Sequence, residues 1–201
     1  MHIDIVFPNH NEHEFVAMAQ CLGWRGLCFF YKNPSEAQQL QQLRTKFQKN
    51  FTLLWASTNR QAPIIIHQST GDDRSDIEQG GFHILYDLEI KQRRDYIHHR
   101  ASGLNHVLCN ILTKKKIVIG YSFESLLLAD PPQRSIILGR ILQNIKLCRK
   151  YETPMLLASF AHFPIHMRSP HDLHKFLLSI GVATDTAKTM LHTTGSFARE
   201  T

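Results

Sequence analysis

The chain has 201 residues, 43% of them hydrophobic, with 23 Lys and Arg against 17 Asp and Glu, a formal charge of +6 and a pI near 9.3. That length suits one domain, the apolar content excludes a disordered chain, and no apolar run approaches the ~18 residues of a membrane span. The charge is segregated: residues 1–90 carry 7 basic and 10 acidic side chains, and residues 91–201 carry 16 and 7. Concentrated positive charge of this kind points to a polyanionic partner.

In chain order, alternation of apolar residues predicts a strand over 3–7. A helix follows over 12–22, with Phe15, Met18, Ala19 and Leu22 at helical spacing and Gly23 as its stop. Residues 26–31 read as a strand, 34–47 as a helix, and 52–56, 63–67 and 82–88 as further strands. The segment 69–81 is polar, acidic and glycine-containing, the composition of a mobile loop. Ser102 can cap a helix whose apolar stripe is Leu104, Val107, Leu108, Ile111 and Leu112. Lys114, Lys115 and Lys116 sit at its C-terminal end, where positive charge suits the helix dipole. A strand over 116–123 precedes a long helix over 134–151 with Ile137, Leu138, Ile141, Leu142, Ile145 and Cys148 inward. A strand over 155–160 comes next. Ser169 and Pro170 then open a helix that Gly181 ends, and Thr184 caps a last helix through residue 191.

Strand–helix alternation with about eight strand candidates argues for a compact, imperfect TIM-like (β/α) barrel. It would be smaller than the ~250 residues usual for that fold. A single open α/β sheet is the alternative. One domain is expected over 1–192, with 193–201 a frayed tail. Cys21, Cys28, Cys109 and Cys148 form no C-x-x-C pair and lie in apolar stretches, so buried reduced thiols are expected. With no secretory-type start either, the expected location is the cytoplasm.

No Walker loop, G-x-G-x-x-G or G-x-S-x-G is present. Thirteen histidines raise a metal reading, with His2, Asp4, His67, Glu89 and His162 at or near strand ends, yet there is no H-x-H or H-E-x-x-H. The basic middle is the better candidate. Arg93, Arg94 and Arg100 interleave with Tyr96 and histidines, a mixture suited to phosphate contact and base stacking. Ser102, Asn105 and His106 would sit at a helix N-terminus that favours anions. Arg140, Asn144, Lys146 and Lys150 are assigned to the polar side of the long helix, and Arg168 precedes the Ser169 cap.

Several strings in order carry a resemblance. Arg94-Asp95-Tyr96-Ile97-His98-His99-Arg100 leads into Ser102-Gly103-Leu104-Asn105-His106. Ile119-Gly120-Tyr121-Ser122-Phe123, Arg140-Ile141-Leu142-Gln143-Asn144, Ala158-Ser159-Phe160-Ala161 and Met167-Arg168-Ser169-Pro170-His171-Asp172-Leu173 follow. Over residues 85–191 the chain resembles the ribonuclease P protein component 3 family, an archaeal and eukaryotic subunit whose barrel is related to the polymerase-and-histidinol-phosphatase fold. The compact length is closer to the archaeal type.

The resemblance implies a ribonucleoprotein subunit that scaffolds a catalytic RNA during removal of the 5′ leader from precursor tRNA. The holoenzyme is an endoribonuclease, a hydrolase of tRNA processing. The chain itself would hold no catalytic residue and no cofactor, the magnesium belonging to the RNA. Its implied partners are the catalytic RNA, precursor tRNA, other ribonuclease P proteins and a small α/β subunit in a two-plus-two heterotetramer. Carried over, Ser102, Asn105, His106, Arg140, Asn144, Arg168 and Ser169 become candidates for RNA or partner contact. The competing expectation is a metal-dependent phosphoesterase on the same barrel, using His2, Asp4, His67, Glu89 and His162. A third is an RNA-binding protein outside ribonuclease P.

Overall fold

The computed structural model describes residues 1–47, 51–91, 95, 98 and 100–199. Its seven strands are β1 (Ile3–Val6), β2 (Gly26–Phe30), β3 (Thr52–Ser57), β4 (Ile64–Gln68), β5 (Ile84–Tyr86), β6 (Val118–Ser122) and β7 (Met155–Ala158). They pair in parallel in sequence order. Val6 bridges Ala161, and the Phe7 N–H donates to the Ala161 carbonyl at 2.8 Å, so the sheet curls nearly to closure. The sequence suggests about eight strands; the described residues form seven, and the chain just past β7 returns to β1. The helices are α1 (Glu12–Cys21), α2 (Gln38–Phe47), α3 (Arg74–Gln79), α4 (Leu88–Lys91), α5 (His106–Lys115), α6 (Phe123–Leu128), α7 (Pro131–Lys150), α8 (Pro170–Ser179) and α9 (Thr184–His192). None of the described helices is long and apolar enough to cross a membrane.

The two-residue period of the strands divides the core. Ile3, Ile5, Cys28, Leu54, Ala56, Ile64, Ile66, Ile84, Tyr86, Val118, Leu156 and Ala158 fill the barrel. Their neighbours Val6, Leu27, Phe29, Leu53, Leu85, Ile119, Tyr121 and Leu157 pack outward under the helices. Inside, Tyr86 stacks on Phe160 at 4.8 Å. A Cβ on Gly120 would come within 3.1–3.2 Å of both rings' residues and of Ile84, so β6 carries glycine there.

Several local expectations change. Within the segment expected as a tail, residues Thr193–Arg199 form a 3-10 helix, and Phe197, 9% exposed, joins the barrel interior. Its ring lies 6.1 Å from that of His83, which precedes β5, so it plugs the end where the strands begin. Burial of one aromatic ring is what fraying would have forfeited. The segment expected to be a mobile loop contains α3. Helix α7 begins at Pro131, three residues early, because Asp130 accepts the Gln133 N–H at 3.0 Å and proline occupies its first turn. Ser102 is not a cap; Asn105 caps α5 by accepting the Leu108 N–H at 3.0 Å. Cys28, Cys109 and Cys148 are buried free thiols, but Cys21 is exposed.

Candidate nucleic-acid interface

The long helix α7 decides what the basic middle can do. Arg140 and Asn144 are expected on its solvent side, yet both are 0% exposed. The reason is phase. They fall three and seven residues after Ile137, within the arc that turns Ile137, Ile141 and Cys148 inward. Arg140 Nε donates to Asp95 Oδ1 at 2.8 Å, and its Nη1 donates to the Glu89 carbonyl at 2.9 Å. The same Asp95 oxygen accepts the Ala101 N–H at 2.9 Å. Asn144 Nδ2 donates to the Ser102 carbonyl at 2.8 Å, and Gln143 Nε2 donates to Ser102 Oγ at 2.9 Å. Arg100 Nη1 reaches back to the Gly139 carbonyl at 3.0 Å. A Cβ on Gly139 would meet that guanidinium at 2.7 Å, so a larger residue there would push the Arg100 tip aside.

This polar stripe is therefore a clamp. It ties Asp95 and residues 100–102 to α7 and the end of α4, and its Arg140 and Asn144 do not face solvent. Burial pushes the Asp95 carboxyl up, but the Arg140 guanidinium and the Ala101 N–H outweigh it and hold it below the usual carboxylate range. The clamp fixes both flanks of the arginine-rich stretch. Arg93 and Arg94 themselves lie outside the described residues. Arg100 is exposed.

The exposed cations gather elsewhere. In a (β/α) barrel α5 and α7 run parallel, so their C-termini meet at the same end. Thr113 Oγ1 donates to the Tyr151 carbonyl at 3.0 Å and lies 2.9 Å from Thr153 Oγ1, which pins the two ends together. Lys114, Lys115 and Lys116 on one side and Lys146, Arg149 and Lys150 on the other are all exposed. Lys150 Nζ lies 5.5 Å from the centre of the Tyr151 ring. Glu152 is the single carboxylate in residues 113–117 and 145–152. Sequence reading singles out Lys146 and Lys150 but assigns the three consecutive lysines only to the helix dipole. The parallel packing that joins both groups is a property of the barrel.

The remaining candidates separate. Asn105 spends its side-chain oxygen on the cap, and His106 is exposed with its ring 6.5 Å from Tyr151. Ser169 caps α8 by accepting the Asp172 N–H at 3.0 Å. Arg168 Nη1 donates to the Ile165 and Met167 carbonyls at 2.9 and 2.7 Å, so this guanidinium braces the chain before the cap.

The five residues of the phosphoesterase expectation do not converge. His2 faces His192 with ring centres 4.2 Å apart. Asp4 is buried and accepts the Ser159 N–H at 2.7 Å, and burial raises its carboxyl to about 7. His67 pairs with Asp76 at 3.2 Å. Glu89 is buried beside Asp87 and Arg140, and desolvation with the Asp87 charge raises it to about 8. His162 Nδ1 pairs with Glu124, which also accepts from His166 Nδ1 at 2.6 Å. Burial pushes Glu124 up, but these imidazoles and the His162 N–H hold it below the ordinary range. Among the described residues only His67 of these five belongs to a group of three or more converging donors, and catalytic metal sites need convergence with an open position.

A profile of the family described as RNase P subunit p30 matches residues 23–197. Among curated relatives, Ribonuclease P protein component 3 of Methanocaldococcus jannaschii is 28% identical over 93 residues, covering 46% of this chain and 40% of the relative. That of Thermococcus gammatolerans is 30% identical over 100 residues, covering 50% and 44%. The match thus spans less than half the length of these two relatives. With the same component of Methanococcoides burtonii, identity is 25% over 187 residues, covering 89% and 76%. A chain in the cryo-EM structure of archaeal Ribonuclease P with mature tRNA superposes with a TM-score of 0.82 over 98% of this chain and 90% of that one. At 19% identity this likeness shows the shared fold.

Proposed function

Starting from the fact that the chain belongs to the RNase P subunit p30 family, we propose that it is a protein subunit of ribonuclease P that steadies the catalytic RNA during 5′-leader removal from precursor tRNA. The observation that carries this reading is the joined cationic end of α5 and α7, six exposed basic side chains against one carboxylate. Folded RNA regions repel each other, and a cationic edge that displaces counterions lowers that cost. Each phosphate neutralised contributes about 0.9 to the salt slope on a duplex and about 0.7 on a single strand. The internal clamp supports the same reading from the other side: it spends Arg140 and Asn144 on holding Asp95 and Ser102.

In this account the cut belongs to the RNA and its magnesium, and no residue of this chain is catalytic. The partners are the catalytic RNA, precursor tRNA and a small α/β protein subunit, paired as two plus two. The phosphoesterase alternative is set aside because His2, Asp4, His67, Glu89 and His162 are scattered.

The test is cleavage of precursor tRNA by the catalytic RNA across falling magnesium, with and without this chain and its small partner. The proteins are expected to shift the requirement to lower magnesium. Replacing Lys114, Lys116, Lys146 and Lys150 with Gln should reverse part of that shift. Correct cleavage by the purified chain in the absence of RNA would overturn the reading.

A further inference from the structure

At the end of β4 and the loop after it, three side chains bring donor atoms together. One atom each from His67, Asp73 and Asp76 lies within 4.8 Å of the others. His67 Nε2 and Asp76 Oδ2 are 3.2 Å apart. That spacing suits a weak hydrogen bond. It also suits neighbouring donors around one ion, which sit about 3.0–3.4 Å apart when metal–ligand distances are about 2.0–2.1 Å.

Two of the three ligands, His67 and Asp73, are held from behind. The His67 ring stacks on Phe82 with centres 5.0 Å apart. Asp73, only 6% exposed, accepts Ser69 Oγ–H at 2.6 Å on one oxygen and the Thr70 N–H at 2.8 Å on the other. Each carboxylate oxygen retains a second lone pair. The Ser69 N–H in turn donates to the Tyr86 carbonyl at 2.9 Å, tying the loop to β5. Outer-shell support of this kind orients metal ligands.

Charge and space complete the case. Two carboxylates converge on one imidazole, and Arg74, the cation between them in sequence, pairs with Glu78 at 2.8 Å instead. A cavity of about 160 Å³ opens beside His67 and Asp76, lined also by Arg60 and Phe82. His67 and Asp76 line that space while Asp73 lies buried behind them, so an ion held by the three would keep positions open on the cavity side. One nitrogen and two oxygens favour a borderline divalent ion over calcium or magnesium, which take oxygen ligands.

We propose that His67, Asp73 and Asp76 bind one zinc- or manganese-class divalent ion, with open coordination positions facing the cavity. The ion links the end of β4 to the 69–73 loop and α3. It departs from the expectation that this chain binds no ion of its own. It stands apart from the RNA reading, and its test contains no RNA.

Untagged full chain is titrated with Co²⁺ and followed by visible absorption, then competed with Zn²⁺, with thermal melts run in parallel. One equivalent should bind, Zn²⁺ should displace it, and Zn²⁺ should raise the melting midpoint. Asp76→Asn and His67→Gln should each weaken binding by more than the ~10- to 100-fold that loss of an outer-shell partner costs and abolish the metal-dependent rise. Their metal-free melts should match the parent, which separates lost binding from lost fold. His2→Gln should bind as the parent does. Absence of stoichiometric binding, binding unchanged in both Asp76→Asn and His67→Gln, or loss on His2→Gln would overturn the proposal.

Discussion

Arg140→Glu separates a clamp from an RNA-facing surface. An exposed Arg140 would tolerate charge reversal with stability within about 0.5 kcal/mol, and only RNA assembly would suffer. The structure demands a different outcome. The guanidinium is 0% exposed and bonds Asp95 and the Glu89 carbonyl. Asp95 keeps contact with solvent, but a glutamate at this buried position would be a buried charge without a partner, which costs about 3–5 kcal/mol. A glutamate there would also set a third carboxyl beside Asp95 and the buried Glu89. For a chain of this size each kcal/mol lowers the melting midpoint by about 2–4 °C, so a fall of roughly 6–20 °C is expected. Circular-dichroism melts of the purified variant read it. Arg140→Met, which keeps most of the volume without the charge, should fall less. A parental melting curve for Arg140→Glu, with RNA binding alone reduced, would refute the clamp.

Removing the exposed lysines should do the opposite. Gln at Lys114, Lys116, Lys146 and Lys150 costs about 0.5 kcal/mol or less at each position, far below the clamp variant per side chain. It flattens the salt dependence of RNA binding by about 0.9 for each duplex phosphate that is no longer neutralised. Phe197→Ala should cost about 3–5 kcal/mol by emptying the end of the barrel, seen as an early thermal melt. Asp4 and Glu89 give the protein a pH signature. Their folded values of about 7 and about 8 stand above those of free carboxyls. Their contribution is therefore fully present below about pH 4 and is lost as pH rises through 7 to 8, on the order of a few kcal/mol each. Denaturant titrations at pH 5 and pH 9 should show lower stability at pH 9, and Asp4→Asn with Glu89→Gln should flatten the difference.

Much of the barrel was legible because its strands obey a period of two and its helices carry caps. Ile3 and Ile5 inside with Val6 outside, or Ser169 and Pro170 opening α8, are local facts the chain writes directly. Closure by seven strands was not legible, since it depends on where Ala161 lands relative to Val6. The clamp is hidden from a reading by polarity and visible only by helical phase. Arg140 and Asn144 share the inward arc with Ile137, and a buried polar side chain is admissible when hydrogen-bonded. The cationic end was half legible: Lys146 and Lys150 were visible on their helix, but their meeting with Lys114–Lys116 requires the parallel packing of α5 and α7. The donors at His67, Asp73 and Asp76 come from a strand, a loop and a short helix inside a segment that reads as a plain polar loop.

The most direct test of the account is sequencing of the RNA captured with the tagged full chain from its own cells. The account predicts strong enrichment of one structured RNA that, once purified, trims the 5′ leader of precursor tRNA in magnesium. Recovery of the folded chain with no RNA above the untagged control would contradict it.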